Sequence, residues 1–189
     1  MSDNEWYTQP KYIEAARKVL GSIDLDPASC AEANQIVGAD KYYTEQDNGL
    51  IQPWYGKVWL NPPYGKVNNK SLILLFVRKL VHAYATQAIE QAILLCDCDP
   101  DAEWFQPLWD YPICFANHKV YFYRPSMHHL LPQLYSKHGH MFGTIFVYFG
   151  PNEDRFIEHF SKFGTIARRV SAPPKPTTQN LQLWEEGVV

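Results

Sequence analysis
The chain alternates short apolar runs with amphipathic stretches. Ile13, Ala16, Val19 and Leu20 recur at helical spacing after Thr8-Gln9-Pro10, which reads as a helix start with Thr8 as N-cap; Gly21 ends that helix. Residues 22–26 predict a short strand, 29–37 a helix capped by Ser29, and 41–44 a further short strand before the turn at Asn48-Gly49. Val58-Trp59-Leu60 reads as a buried strand. Asn68 or Asn69 caps a long helix running to residue 86, and residues 92–96 form the next central strand. Asp99-Pro100 opens a helix through residue 109. Residues 113–116 and 120–123 are expected to be strands joined at Asn117-His118, followed by a strand at 144–149, a helix at 152–163 and a last strand at 165–170. Strands alternating with helices predict an α/β fold with a mostly parallel central sheet, finished by antiparallel strands on the C-terminal side. Residues 1–170 are expected to form one domain, with 124–142 a polar, His-bearing excursion and 171–189 a Pro- and Thr-rich tail.

Composition narrows the setting. A length of 189 residues suits one domain with a sizeable core. The four cysteines show no disulfide spacing, the N-terminal residues carry no apolar signal region, and no run approaches a membrane span, so a cytoplasmic setting is expected. Net charge is −3, but the acids are unevenly spread. Residues 48–89, 111–152 and 159–184 contain no Asp or Glu, and carry Lys57, Lys66, Lys70, Arg78, Lys79, Lys119, Arg124, Lys137, Lys162, Arg168, Arg169 and Lys175. Brought to one side of the fold, these stretches would present a positive face to phosphates, because local potential rather than net charge governs such contacts.

The chemistry concentrates in Asn61-Pro62-Pro63-Tyr64-Gly65, which follows Val58-Trp59-Leu60 and so occupies a strand end, where open α/β sheets bind ligands. The residue types suit methyl transfer to the exocyclic amine of a flat heteroaromatic base. Such an amine is a poor nucleophile because its lone pair is delocalised into the ring. The Asn61 side-chain oxygen and the Pro62 carbonyl can each accept one of its hydrogens without changing protonation. Drawing both N–H bonds out of plane frees the lone pair. Pro62 and Pro63 restrict the backbone and preorganise the acceptors, Tyr64 offers a face on which an extruded base can stack, and Gly65 allows close backbone approach.

This loop is similar to the catalytic loop of S-adenosylmethionine-dependent amino-methyltransferases, and its setting resembles the phage-type DNA N6-adenine methyltransferases. Similar elements are Glu5-Trp6-Tyr7-Thr8, Ile23-Asp24-Leu25-Asp26-Pro27-Ala28-Ser29, Asp47-Asn48-Gly49-Leu50 and Val147-Tyr148-Phe149-Gly150, spread over residues 5–170. The resemblance implies a Rossmann-like methyltransferase fold, S-adenosylmethionine as cofactor with S-adenosylhomocysteine as product, no metal, and double-stranded DNA as partner. It also implies the cytoplasm of a bacterial host, if the chain is phage-encoded, and a role in protection from restriction or in regulation.

On the cofactor side, Asp24 to Ser29 ends the first strand and opens a helix, a usual place to hold a nucleoside-bearing cofactor. Asp26-Pro27-Ala28 is similar to the family's first cofactor motif. The glycine-rich turn of broader methyltransferases is missing, which leaves Ser29 and Cys30 to supply close approach. Strand alternation turns Asp24 and Asp26 the same way. Asp47 resembles the acid that accepts a hydrogen bond from the cofactor's adenine amine, a reading that outweighs a plain turn carboxylate. Trp6 and Thr8 match the opening motif that the resemblance places near the methionine end of the cofactor. Asp26 and Asn61 are 35 positions apart (61 − 26), so the intervening strands must be short. Asp40 and Glu45 are the candidates for a ribose-binding acid, and nothing in the sequence selects either.

The loop chemistry alone fits adenine N6 or cytosine N4 in DNA, guanine N2 in RNA, or a protein glutamine; the wider resemblance favours adenine in a short duplex target, with residues 111–142 reading the DNA. A non-catalytic DNA-binding protein on the same fold is the alternative of another class. Cys96-Asp97-Cys98-Asp99 resembles half a metal site without a second pair at zinc spacing; Cys96 reads as a strand residue and Asp99 as a helix cap, while Asp97 could line the cleft. The histidines at 128, 129, 138 and 140 read as a polar loop.

Overall fold
A computed structural model describes residues 7–122 and 143–170. The expected excursion at 124–142, the tail at 171–189 and Trp6 lie outside the described residues. The elements in order are α1 (Pro10–Leu20), β1 (Leu25–Asp26), α2 (Ala31–Val37), β2 (Lys41–Tyr42), β3 (Lys57–Leu60), β4 (Lys66–Val67), β5 (Lys70–Ser71), α3 (Leu72–Ala85), β6 (Gln91–Asp97), a 3-10 helix (Glu103–Asp110), β7 (Ile113–Ala116), β8 (Thr144–Phe149), α4 (Glu153–Phe160) and β9 (Gly164–Ala167).

Alternation along the central strands explains the layering. Val58 and Leu60 face one apolar cluster, with Ile73, Phe76, Val77 and Leu80 of α3 and Phe105 of the 3-10 helix. Trp59 faces the other, with Tyr12, Ile13 and Ala16 of α1 and Phe156 and Phe160 of α4. A strand covered on both faces must be apolar at consecutive positions, and Val58-Trp59-Leu60 is. The main sheet runs β2-β1-β3-β6-β8-β7-β9. β2, β1, β3 and β6 pair in parallel, whereas β6 with β8, β8 with β7 and β7 with β9 pair antiparallel. The fold is therefore α/β, Rossmann-like, with its antiparallel strands on the C-terminal side.

From β1 the chain passes through α2 to β2 on one side, and β3 then lies on the other side of β1. That reversal makes the β1/β3 boundary the topological switch point, where the loops leaving the carboxyl ends part and open a crevice. Leu25 lies opposite Val58, so the ends of β1 and β3 reach the same edge.

Several local expectations change. The first turn of α1 has Gln9 at its N-cap position and Pro10 at its start, and Thr8 caps nothing there. Cys30, not Ser29, caps α2, its sulfur accepting from the Ala33 amide at 3.5 Å. Asn68 and Asn69 do not cap α3. Both take left-handed φ, 48° and 62°, and make the turn of a two-stranded ribbon, β4 with β5; paired left-handed residues suit a type I′ hairpin. The helix after Asp99 is 3-10, starts at Glu103 and contains Pro107. Residues 120–122 form no strand; β7 pairs with β8 and β9 instead. Asp24 lies at the entering end of the sheet, where Ser22 Oγ donates to Oδ1 at 2.7 Å and the Lys57 amide donates to Oδ2 at 2.9 Å. Only Asp26 of the pair reaches the carboxyl edge.

Val147-Tyr148-Phe149-Gly150 serves the fold at the opposite end of the sheet from the crevice. The Tyr148 hydroxyl donates to Gln91 Oε1 at 2.7 Å and accepts from the Asn152 amide at 3.1 Å. A Cβ at Gly150 would stand 2.3 Å from that hydroxyl. Tyr148→Phe strands both partners and should cost about 1–2 kcal/mol in urea unfolding, with the activity of the folded fraction unchanged.

Candidate active site
Asn61-Pro62-Pro63-Tyr64 leaves the end of β3 at the switch point. Pro62 is buried, Asn61 is half-buried and Pro63 is exposed. The Asn61 amide nitrogen lies 3.5 Å from Thr8 Oγ1, a long contact with the side-chain oxygen on the other side. Thr8 is only 6% exposed, so this tie is sheltered. Tyr64 is divided in character: the residue is 43% exposed, while its hydroxyl is sunk at the end of β6 and accepts from the Asp97 amide at 2.9 Å. Burial first, and then the neighbouring Cys96 and Asp97, push that hydroxyl far above the ordinary tyrosine range, so it stays protonated. The ring is thus anchored at its tip with part of its surface open. Gly65 has φ 108° and nothing within 4 Å of where a Cβ would stand. That positive φ is a conformational demand that glycine meets.

Beside this loop, at the end of β1, Asp26 is 3% exposed. Burial pushes its carboxyl up to about 7, against the Ala28 amide and the Ser29 side chain, which favour the charged form. The Ala28 amide donates to Oδ1 at 3.2 Å, and the Ser29 hydroxyl lies close by, buried, without completing a hydrogen bond. A buried carboxylate with little local compensation, beside a buried hydroxyl at a sheet's binding edge, suits a polar ligand. These residues fit a nucleoside-bearing, cationic group.

The remaining predicted residues converge on the same edge. Gly49 packs so closely on Pro27 that a Cβ would lie 2.0 Å from the Pro27 carbonyl oxygen, which joins the Asp47–Leu50 turn to the Asp26-Pro27-Ala28 segment. Asp47 is exposed, and its Oδ2 accepts from the Thr44 amide at 2.8 Å and the Thr44 hydroxyl at 2.7 Å. Those bonds hold its carboxyl below the ordinary range, the behaviour of a turn carboxylate. Tyr7, which the sequence did not single out as a site residue, places its hydroxyl 3.3 Å from Cys30 Sγ. Residues 7 and 8 therefore touch both the cofactor side and the catalytic loop. Asp40 precedes β2 and lies at the wrong end of the sheet, whereas Glu45 follows it. Asp97 meets the site through its backbone at Tyr64.

The positive face expected from the acid-free stretches is largely spent elsewhere. Lys57 sits near Ser22 at the far end of β3, Nζ to Oγ 3.4 Å. Arg78 pairs with Glu103, Arg168 with Glu153 and Arg169 with Asp110. The described histidine of the second stretch, His118, bonds Tyr12 at 2.7 Å. Lys79 is a positioning residue that the sequence mistook for a phosphate contact. Its ammonium donates to the carbonyls of Gly49, Leu50 and Gln52 at 3.1, 2.7 and 2.5 Å and lies 5.3 Å from the Trp54 ring centroid. Burial pulls it down to about 8, and the three carbonyls are what favour its charge. Lys66 and Lys70 are exposed and follow the Asn61–Tyr64 loop closely in the chain.

A family model, DNA N-6-adenine-methyltransferase (Dam), matches residues 1–124, which include both sides of the crevice. The match stops short of residue 170, to which the resemblance was expected to run. No curated protein matches the chain, and no solved structure matches it.

Two predictions concern this edge. Asp26 binds its proton more tightly folded than unfolded, so it lowers stability as pH rises from about 4 to about 7. Asp26→Asn should remove that decline and stabilise the ligand-free protein near neutrality by on the order of 4 kcal/mol, read by denaturant unfolding across pH. Lys79→Met should release the loop and weaken cofactor binding about tenfold by calorimetry; tight binding by a well-folded variant argues against the positioning role.

Proposed function
The chain belongs to the DNA N-6-adenine-methyltransferase family, and we propose that it methylates adenine N6 in a short duplex target, using S-adenosylmethionine and extruding the base from the helix. The observation that carries this reading is the pairing, across the switch point, of the Asn61-Pro62 acceptors on β3 with the buried Asp26 carboxylate on β1.

In this reading the Asn61 side-chain oxygen and the Pro62 carbonyl each accept one hydrogen of the adenine amine. The nitrogen then loses conjugation with the ring and becomes nucleophilic. Tyr64 presents its open face to the base. Its anchored hydroxyl holds the tip of the ring in place as the base arrives, so less positional freedom is lost at the moment of reaction. When bound, S-adenosylmethionine supplies a methyl group activated by a sulfonium and departs as S-adenosylhomocysteine. Asp26, Pro27, Ala28 and Ser29 would hold it, with Thr8 and Trp6 toward its amino-acid end and the Asp47 turn toward its adenine. Asp26 is suited to a polar or cationic group of this ligand, because binding there relieves a costly burial. Asn61 and Pro62 act as fixed dipoles, and no covalent intermediate on the protein is needed.

The decisive experiment expresses the chain in cells that lack adenine methylation, digests their DNA to nucleosides and identifies the product by mass spectrometry. N6-methyladenosine in its deoxy form is expected; N4-methylcytosine, or no methylated base, overturns the reading. Asn61→Ala should lower turnover by at least a thousandfold while cofactor binding stays within a few fold. Retained activity would refute the role given to Asn61.

A further inference from the structure
The catalytic loop is followed by a ribbon that does nothing for the core. Lys66, Val67, Asn68, Asn69 and Lys70 are all exposed, and among the described residues β4 pairs only with β5. A two-stranded ribbon this short is not stable alone. It is nevertheless closely specified. Asn68 and Asn69 both hold left-handed φ, and the Leu72 amide donates to the Gly65 carbonyl at 3.0 Å, closing the ribbon's base. That base is one residue from Tyr64, whose hydroxyl is fixed to the end of β6. The ribbon therefore projects beside the crevice mouth. It carries two cations, two amide side chains at its tip and no acid. The surrounding residues 48–89 have no Asp or Glu either.

We infer that the β4–β5 ribbon is a DNA-contacting element, with Lys66 and Lys70 on phosphates flanking the target adenine and the Asn68-Asn69 tip in the groove beside it. This rests on the reading that duplex DNA is the substrate. Lysines bind phosphates through charge, whereas asparagine amides offer donors and acceptors to base edges, so the two parts of the ribbon do separable work. A two-stranded β-ribbon also has the width of the major groove, the groove in which the adenine amine lies. A ribbon beside Tyr64 is well placed to support the duplex where the extruded base leaves a gap.

The test uses the full chain and a fluorescent duplex of mixed sequence, with affinity measured across potassium chloride concentration. Lys66→Ala/Lys70→Ala should reduce the slope of log K against log salt by about 1.8, at about 0.9 per phosphate contact. Lys18→Ala, on α1 at the far end of the sheet, should leave the slope unchanged. Asn68→Gly/Asn69→Gly keeps a turn that accepts left-handed φ but removes the amides. It should lower kcat/KM for DNA about tenfold, with the salt slope and cofactor affinity as in the parent. A parent-like slope in the lysine variant, or parent-like kcat/KM in the glycine variant, overturns the inference while leaving the proposed function standing. A parent chain that binds no duplex overturns both.

Discussion
Everything at the candidate site depends on the parallel pairing of β1 with β3 at the point where the chain reverses its winding. With Leu25 opposite Val58, the chain leaves β1 at Asp26 and β3 at Asn61 on one edge. Any other neighbour for β3 would separate them. The pairing is secured by burial on both faces: Val58 and Leu60 pack under α3, and Trp59 packs under α1 and α4. A shift of one residue would turn Trp59 into the cluster under α3, and Val58 and Leu60 into the one under α1 and α4. The core thus fixes which loops meet before any ligand arrives.

The edge itself is held by polar ties that would be costly if left unmade. Lys79 draws three carbonyls of the 49–52 segment onto α3, and Gly49 brings that segment against Pro27. α3 is joined at its start to the Gly65 carbonyl that follows the catalytic loop. One helix consequently braces both halves of the candidate site, the 49–52 segment through Lys79 and the 61–65 loop through Leu72. Asp26 is the exception to this thrift. Its burial raises the energy of the charged form, and a protein retains such a residue where a ligand restores the balance.

Much of this was legible from residues alone, and the failures have physical causes. Consecutive apolar residues revealed β3, and the short span from Asp26 to Asn61 required abbreviated strands, which β1 and β2 are, at two residues each. Alternation put Asp24 and Asp26 on one side but could not show that β1 is too short to carry both to the edge. Asn68-Asn69 misled because asparagine favours helix caps and left-handed turns for the same reason, a short polar side chain that bonds its own backbone. The acid-free stretches misled because their arginines find acids far away in sequence, Arg169 with Asp110 across 59 positions. Cys30 as a cap carried no conventional signal at all.

The reach of the ties also explains how the loop can be rigid and still accept a base. The Thr8 hydroxyl can donate or accept, so by itself it does not dictate which end of the Asn61 amide faces it. In the proposed function the substrate settles the orientation, because an amine with two hydrogens can meet only oxygen. Pro62 has no such freedom: its ring fixes φ and the following Pro63 restricts ψ, which sets the direction of its carbonyl. The pair therefore combines one acceptor fixed by backbone geometry with one selected by the substrate. In the proposed function a base without an amino group leaves at least one acceptor unmet, which sets adenine, cytosine and guanine apart from thymine and leaves the choice among the three to other contacts.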